Sequence, residues 1–186
     1  MNRFLLAAAL VLPLLTGVGL ALSDYEREHE GHEYAAHGRP DFAPADHPGY
    51  ARECGACHLA YPPGLLPARS WERIMDGLDD HFGDNAELPA AAAEPIRAYL
   101  QARAADRDAR GRARSVAASL GPDQAPLRIA ATPWFRRQHH EIPAALVAGN
   151  PQVGGFGNCG ACHRGAEDGS FDEHQVRIPG YPYWDD

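Results

Sequence analysis

The sequence is poor in methionine and in positive charge, and it has no odd cysteine. Of its 186 residues two are methionines, so Met75 is the one methionine besides the initiator that is available to a metal. Its 17 basic residues face 25 acidic ones, and the formal charge of −8 argues against nucleic-acid binding and favours partners with basic docking faces. All four cysteines fall into C-x-x-C pairs. A thioredoxin-like dithiol would need a βαβ context, which the sequence does not show.

A histidine directly follows each cysteine pair. The two motifs are Cys54-Gly55-Ala56-Cys57-His58 and Cys159-Gly160-Ala161-Cys162-His163. C-x-x-C-H is the attachment signature of c-type haem, because the two thiols form thioethers to the haem vinyl groups while the histidine ligates the iron. A four-cysteine zinc site usually has its pairs about 15 to 20 residues apart, whereas these lie more than a hundred apart. Neither zinc nor a disulfide explains a histidine after each pair.

Residues 1–23 predict an export signal or an N-terminal anchor. Arg3 precedes an apolar run from Phe4 to Leu22, and small residues around Ser23 allow cleavage. The run is nearly long enough to span a bilayer, so an uncleaved anchor stays open as an alternative. Either way we expect the rest of the chain to be periplasmic, where c-type haem is attached.

We predict a mainly α-helical fold with two haem domains. Residues 24–49 form a polar, histidine-rich linker in which His47 is near enough to the first motif to be a ligand candidate. The first haem domain spans residues 50–105. A basic linker spans residues 106–126, and a loop-rich second haem domain spans residues 127–186.

The basic linker contains several arginines. They are Arg107, Arg110, Arg112 and Arg114. We interpret them as a solvated helix face, with pairing to haem propionates as the alternative. In the polar linker before the first domain, weak metal binding by the histidines is likewise an alternative to plain disorder.

His81 is the candidate sixth ligand in the first domain. Ser70 is a good N-cap, and apolar residues then recur at helical spacing until Gly83. These residues are Trp71, Ile74, Met75, Leu78 and Phe82. His81 is at the edge of that face. A lone histidine there is more often a satisfied core residue, but with an iron to fill we expect it to pair with His58, and we interpret Met75 as core filling.

Residues 59–67, directly after the first motif, are apolar and too rich in proline for a helix. A haem-ligating histidine needs an acceptor for its second ring nitrogen. We expect a backbone carbonyl of this segment to fill that role for His58, and plain packing over the haem edge is compatible with it.

The sixth ligand of the second site is expected from a helix over Trp134–Ile142. Thr132 followed by proline predicts its N-terminus, and Pro143 is expected to close it. At about 100° per residue, His139 shares the apolar strip of this helix, whereas its neighbour His140 points away.

We therefore pair His139 with His163. His140 stays open as an alternative. His174 is a further one, since it follows His163 closely in the chain, but it is surrounded by acidic residues. We expect each ligand pair to fall within one domain.

These residues resemble the dihaem cytochrome c family of exported bacterial electron carriers. In the first half the resemblance is carried by residues 53–58, 61–67, 70–71 and 81–83. In the second half it is carried by Arg128-Ile129, Trp134-Phe135, His139, the second C-x-x-C-H motif, Ala166-Glu167 and Ile178-Pro179. The resemblance covers residues 50–180, without the histidine-rich linker. It implies a first domain like a class I cytochrome c, a smaller C-terminal haem domain, and two covalent haem c groups with bis-histidine ligation.

The resemblance also implies electron transfer rather than enzymatic activity. It implies two kinds of redox partner, a small oxygen-binding monohaem cytochrome and membrane b-type cytochromes. We expect a carrier that takes electrons from a quinol-linked or b-type cytochrome donor and passes them to a soluble haem protein, without a small-molecule substrate. The alternative is a small dihaem enzyme of the peroxidase type, which needs one open haem site.

Overall fold

The structure, a computed structural model, describes residues 40–182. The predicted signal or anchor lies outside these residues, as does most of the histidine-rich linker. Residues 40–182 contain α-helices and short 3₁₀ turns, with three isolated bridges but no β-strand. The expectation of a mainly α-helical fold is therefore confirmed, and the division into two haem domains stays a prediction.

Six α-helices occur within residues 40–182. They are α1 (Pro48–Glu53), α2 (Ala68–Asp76), α3 (Ala90–Ala102), α4 (Gly111–Ala118), α5 (Pro133–Gln138) and α6 (Ala144–Val147). The 3₁₀ turns are Pro63–Leu65, Leu78–Asp80, Ile129–Ala131, Cys159–Ala161, Ala166–Asp168 and Glu173–Gln175. In the part of the chain that the structure describes, no helix is long and apolar enough to cross a membrane.

The first hydrophobic cluster packs α2 against α3 beside the first motif. Its buried members are Tyr50, Leu66, Trp71, Met75, Ile96, Leu100 and Ala104. Each large apolar side chain buried here stabilises the fold by about 1.5–3 kcal/mol. Met75 belongs to this cluster, which confirms its interpretation as core filling.

The proline-rich segment 59–67 packs on the same cluster. The indole Nε1 of Trp71 donates to the carbonyl of Pro63 at 2.8 Å. The expectation that this segment cannot be helical is wrong for Pro63–Leu65, which makes one 3₁₀ turn. Its hydrogen bonds use the amides of leucines and the carbonyls of prolines, so the missing proline N–H groups are not needed.

The second cluster contains residues from both predicted linkers. Its buried members are Phe42, Leu65, Ala105, Ala113 and Val116. Phe42 precedes the predicted first domain, and Ala113 lies on α4 within the predicted basic linker; both are fully buried. These two segments therefore contribute to the core.

The helix predicted from Ser70 to Gly83 has different ends. It begins at Ala68 after Pro67 and ends at Asp76, with Gly77 as its C-cap. Ser70 is buried inside α2, and its hydroxyl has no hydrogen-bond partner, so its prediction as N-cap is wrong. Glycine is a poor helix residue, and a separate 3₁₀ turn follows it, so His81 is not on a helix face.

The helix predicted over Trp134–Ile142 ends at Gln138. Its predicted start is confirmed, because the Thr132 hydroxyl accepts from the amide of Phe135 at 3.1 Å. At its C-terminus, Nδ1 of His139 contacts the Phe135 carbonyl at 3.0 Å, and Nδ1 of His140 contacts the Arg137 carbonyl at 3.0 Å. These rings supply the partners that the last helical carbonyls lack, and Pro143 precedes α6 instead of closing α5.

Candidate haem-binding sites

Helix α1 leads directly into the first motif. Nδ1 of His47 accepts from the amide of Tyr50 at 3.1 Å, so this ligand candidate serves as the helix N-cap. At the other end the Cys54 amide donates to the Tyr50 carbonyl at 3.0 Å. Gly55 is needed between the cysteines, since a Cβ there would lie 2.1 Å from the carbonyl oxygen of Ala51.

His58 and His81 face each other at the first site. Their ring centroids are 6.2 Å apart, and the ring planes differ by 21°. Metal–imidazole bonds of about 2 Å place the centres of two rings that share one metal roughly 6 Å apart. The pair therefore has the separation that a shared iron requires.

The orientation of His58 is fixed by its neighbours in sequence. Its Nδ1 is 2.7 Å from the carbonyl oxygen of Leu59, which confirms the expected acceptor in residues 59–67. A carbonyl only accepts, so Nδ1 carries the proton and Nε2 is the nitrogen left for a metal. The ring of Tyr61 stacks on His58 with centroids 4.9 Å apart.

Tyr61 also joins the first site to the second. Its hydroxyl donates to the carbonyl of Gly157 at 2.6 Å, two residues before the second motif. Its own carbonyl accepts from the Tyr50 hydroxyl at 2.9 Å. Burial, followed by the nearby Cys159, raises the pKa of Tyr61 to about 12, so the hydroxyl keeps its proton.

His81 is held by a turn rather than by a helix. Its amide donates to the Asp84 carbonyl at 2.7 Å. Phe82 adopts a left-handed conformation with φ 62°, which costs about 1–3 kcal/mol, and the Arg128 guanidinium lies 3.9 Å from its ring centroid. Burial, then His58 and Arg128, lower the pKa of His81 and favour the neutral imidazole that metal binding requires.

The second motif lines an apolar cavity of about 1040 Å³, including its open mouth. Its apolar walls include Phe42, Leu65, Ile129, Trp134, Phe135, Ile142, Val147, Val153, Phe156, Phe171, Val176 and Ile178. Its charged or metal-binding groups are Arg112, His139, Cys159, Cys162, His163 and Glu173. Apolar walls with a few polar groups are typical of cofactor pockets and fit a flat, largely apolar macrocycle.

His139 and His163 face each other across this cavity. Their ring centroids are 6.2 Å apart, the same distance as at the first site, but the ring planes differ by 77°. His139 is the C-cap of α5, and its ring stacks on Phe135 with centroids 3.9 Å apart. The early end of α5 therefore does not remove His139 from the site.

The chemistry of His163 fits a metal ligand. Within the described residues its buried Nδ1 has no hydrogen-bond partner. Burial, followed by the nearby His139, lowers the pKa of His163 to about 4. A neutral imidazole is the form of histidine that binds a metal.

The two alternative histidines lie elsewhere. His140 is exposed, and its Nε2 is 3.5 Å from a carboxylate oxygen of Glu141. His174 is exposed on a 3₁₀ turn that Asp172 caps. Neither of them lines the cavity that contains the second motif.

The cysteines have the electrostatics of unreactive thiols. All four are free. Burial raises the pKa of Cys54 and of Cys159 to about 11, and it also raises the pKa of Cys162. Redox-active dithiols have lowered pKa values. In residues 40–182 no three His, Cys, Asp or Glu side chains are grouped to hold a bare metal ion.

Sequence reasoning missed part of the second site. Phe42 and its neighbour Asp41 lie in a stretch that we interpreted as linker, and Arg112 was one of several arginines without a distinguishing feature. The apolar pair Phe42-Ala43 within a polar segment is the signal that points to burial there.

Two C-x-x-C-H motifs, each beside a pair of facing histidines on a mainly helical scaffold, define a dihaem c-type cytochrome. The family model for Dihaem cytochrome c matches residues 50–171, and the chain belongs to this family. Membership of a dihaem family means that the chain carries two covalently attached haem c groups. Members of the family are electron carriers.

Solved structures support the assignment. The chain is similar to a diheme cytochrome c from Rhodobacter sphaeroides, with 42% identity, a TM-score of 0.62, and coverage of 69% of this chain and 99% of that chain. It is also similar to a diheme cytochrome c from Shewanella baltica OS155, with 40% identity, a TM-score of 0.61, and coverage of 74% and 97%. No curated protein matches the chain.

Proposed function

We propose that this protein is a periplasmic electron carrier in which two histidines ligate each haem iron. His58 pairs with His81 at the first site, and His163 pairs with His139 at the second. The observation that carries the proposal is the separation of 6.2 Å between ring centroids in both pairs. Iron with both axial positions filled has no coordination site for a substrate, and histidine as sixth ligand gives a lower potential than methionine.

The haems supply one-electron exchange between ferric and ferrous iron, and the polypeptide orients their ligands. At the first site the Leu59 carbonyl fixes the tautomer of His58. At the second, the Phe135 carbonyl contacts Nδ1 of His139, and the apolar walls restrict water. Held imidazoles keep the coordination unchanged between redox states, which favours fast electron transfer over ligand exchange.

For the route, the donor is a quinol-linked or b-type cytochrome in the membrane, and the acceptor is a soluble haem protein such as an oxygen-binding monohaem cytochrome. The family resemblance supports these partners. The formal charge of −8 supports docking to a basic face, and the apolar run after Arg3 supports export.

Carbon monoxide tests the ligation. The optical spectrum of the reduced protein should be unchanged by the gas, because no iron has a free axial position. A His139→Gly variant should bind carbon monoxide at one haem and thereby show that the assay detects an open site. Rapid binding by the unaltered protein would overturn the proposal and favour an enzyme of the peroxidase type.

The route has its own test, in which reduced protein is mixed with an oxidised soluble monohaem cytochrome and, separately, oxidised protein is mixed with quinol-reduced membrane vesicles. Electrons should pass to the first probe and arrive from the second. Absence of either transfer would refute that half of the route and leave the ligation unaffected.

A further inference from the structure

An arginine from outside both motifs lines the second cavity. Arg112 is in the first turn of α4, whose position is fixed by the fully buried Ala113 and Val116. Its Nε is 2.7 Å from Oδ1 of Asp41. Among the residues that line this cavity it is the one arginine, and Glu173 is the one carboxylate.

Asp41 is itself held in place. Its Oδ2 accepts from the amide of Phe171 at 2.7 Å, and the next amide, that of Phe42, donates to the Gly169 carbonyl at 3.1 Å. Gly169 has φ 75°, and a Cβ there would lie 2.4 Å from the Phe42 carbonyl oxygen, so glycine is required for this approach. The carboxylate and the backbone directly after it are thus both held in place.

The ion pair lies close to the second proximal histidine. The ring of Phe171, whose amide binds Asp41, is 5.2 Å from the ring of His163. Charges near this imidazole change the relative stability of ferric and ferrous iron bound to it.

We propose that Arg112 binds a propionate of the second haem and, together with Asp41, sets the reduction potential of that haem. A guanidinium presents five N–H donors in a planar fork that matches a carboxylate. Asp41 pairs with Nε, and no described residue forms an ion pair with the two terminal nitrogens of Arg112. Haem propionates are carboxylates, and the cavity offers them no other arginine. The proposal goes beyond the electron route and depends only on the haem at this site.

The decisive variant is Arg112→Gln, with Arg114→Gln as the matched control. Arg114 is on the same helix and carries the same charge, but it is exposed and does not line the cavity. Loss of the positive charge at Arg112 favours ferric iron and should lower the potential of one haem. We expect roughly a tenfold change in its reduction equilibrium, about 59 mV for one electron. Arg114→Gln should move neither haem detectably.

Two further variants complete the test in the purified protein with both haems attached. Arg112→Lys keeps the charge and should restore most of the potential. Asp41→Asn keeps an acceptor for the Phe171 amide and removes a negative charge, so it should raise the same potential. It also decides the matter if Arg112→Gln fails to mature with two haems. The affected haem is identified as the one that becomes high-spin in His139→Gly.

The proposal is overturned if Arg112→Gln shifts neither haem more than Arg114→Gln does, or shifts both haems equally. It is also overturned if Arg112→Lys behaves like Arg112→Gln, or if Asp41→Asn leaves or lowers the potential. All these measurements are made at equilibrium without a redox partner, so failure of the proposed electron route would not affect them.

Discussion

The two haem sites hold their histidines at the same separation by different means. At the first site the two facing histidines and the residues that contact them, Leu59, Tyr61 and Asp84, come from one short stretch of chain. At the second, the cavity walls extend along the chain from Phe42 to Ile178. The imidazole planes also differ, since they are nearly parallel at the first site and nearly perpendicular at the second.

This comparison separates a locally determined site from one that depends on closure of the whole chain. Contacts within a short segment survive fluctuations that separate distant segments. The polypeptide leaves His58 exposed, whereas it encloses the second motif in an apolar cavity. The stability of the fold should therefore depend more on the second haem. Electron exchange with redox partners should depend more on the first.

The largest expected effect is on stability. Replacing Cys159 and Cys162 together by alanine should remove one of two haem masses from the extracted polypeptide and leave the apolar cavity unfilled. We expect the free energy of unfolding to decrease by several kcal/mol and Tm to decrease by roughly 10 °C or more. The matched change at Cys54 and Cys57 should also remove one haem mass but lower Tm less. Circular dichroism and intact mass measure both, and an equal or larger decrease at the first site would contradict the comparison.

The next effect concerns the second sixth ligand. His139→Gly should make one haem high-spin and raise its potential, because an axial imidazole is lost. His140→Gly should leave the spectrum unchanged, since that ring is exposed and does not line the cavity. Electron paramagnetic resonance of the oxidised proteins distinguishes the two. A high-spin signal in His140→Gly alone would assign the ligand to His140 instead.

A spectroscopic difference should follow from the ring planes. Parallel axial imidazoles separate the energies of the two iron orbitals that interact with them, whereas perpendicular ones leave them nearly equal. The oxidised protein should therefore give one rhombic low-spin signal from the first haem and one strongly anisotropic signal from the second. His139→Gly should abolish the anisotropic signal alone. Two superimposable low-spin signals would show that the angle between the imidazole planes is the same at both haem sites.

The smallest effect is expected at the rim of the first site. Asp79 and Asp84 are exposed on either side of His81, and a basic redox partner should be attracted to them. Electron transfer with a basic monohaem cytochrome should slow as the salt concentration is raised. Salt shortens the Debye length, to about 8 Å at physiological ionic strength, and so weakens the attraction between the two proteins. Replacing both aspartates by asparagine should reduce the rate a fewfold, while Asp123→Asn should not. A rate indifferent to salt would contradict electrostatic docking.

The motifs and the facing histidines could be predicted because their signals are local. C-x-x-C-H is a contiguous pattern, and the carbonyl of Leu59 lies next to the histidine it contacts. His81 was chosen as part of a helix face, but a turn presents it to His58. The residue that faces His58 was thus predicted from a helix face that does not form there.

The helix boundaries and the second cavity could not be predicted. Both depend on side-chain contacts that leave no periodic pattern in the sequence. Helix α5 ends where the rings of His139 and His140 contact its carbonyls, a contact that periodicity does not contain. The burial of Phe42 depends on Trp134 and Phe171, whose rings lie 5.8 and 5.7 Å away although they are distant in the chain. The neighbours of Phe42 in the sequence are mostly polar, whereas its neighbours in the folded protein are apolar.

The bond from the Tyr61 hydroxyl to the Gly157 carbonyl has a mechanical consequence. Its ring is stacked on His58, the proposed ligand of one iron, and its hydroxyl donates to the carbonyl of Gly157 just before the motif of the other. Sliding one half of the chain past the other would break the stack and the bond together, so Tyr61 acts as a strut of fixed length. Electron tunnelling weakens exponentially with distance, and a strut that suppresses thermal variation in this spacing makes the passage of charge between the two centres uniform in time.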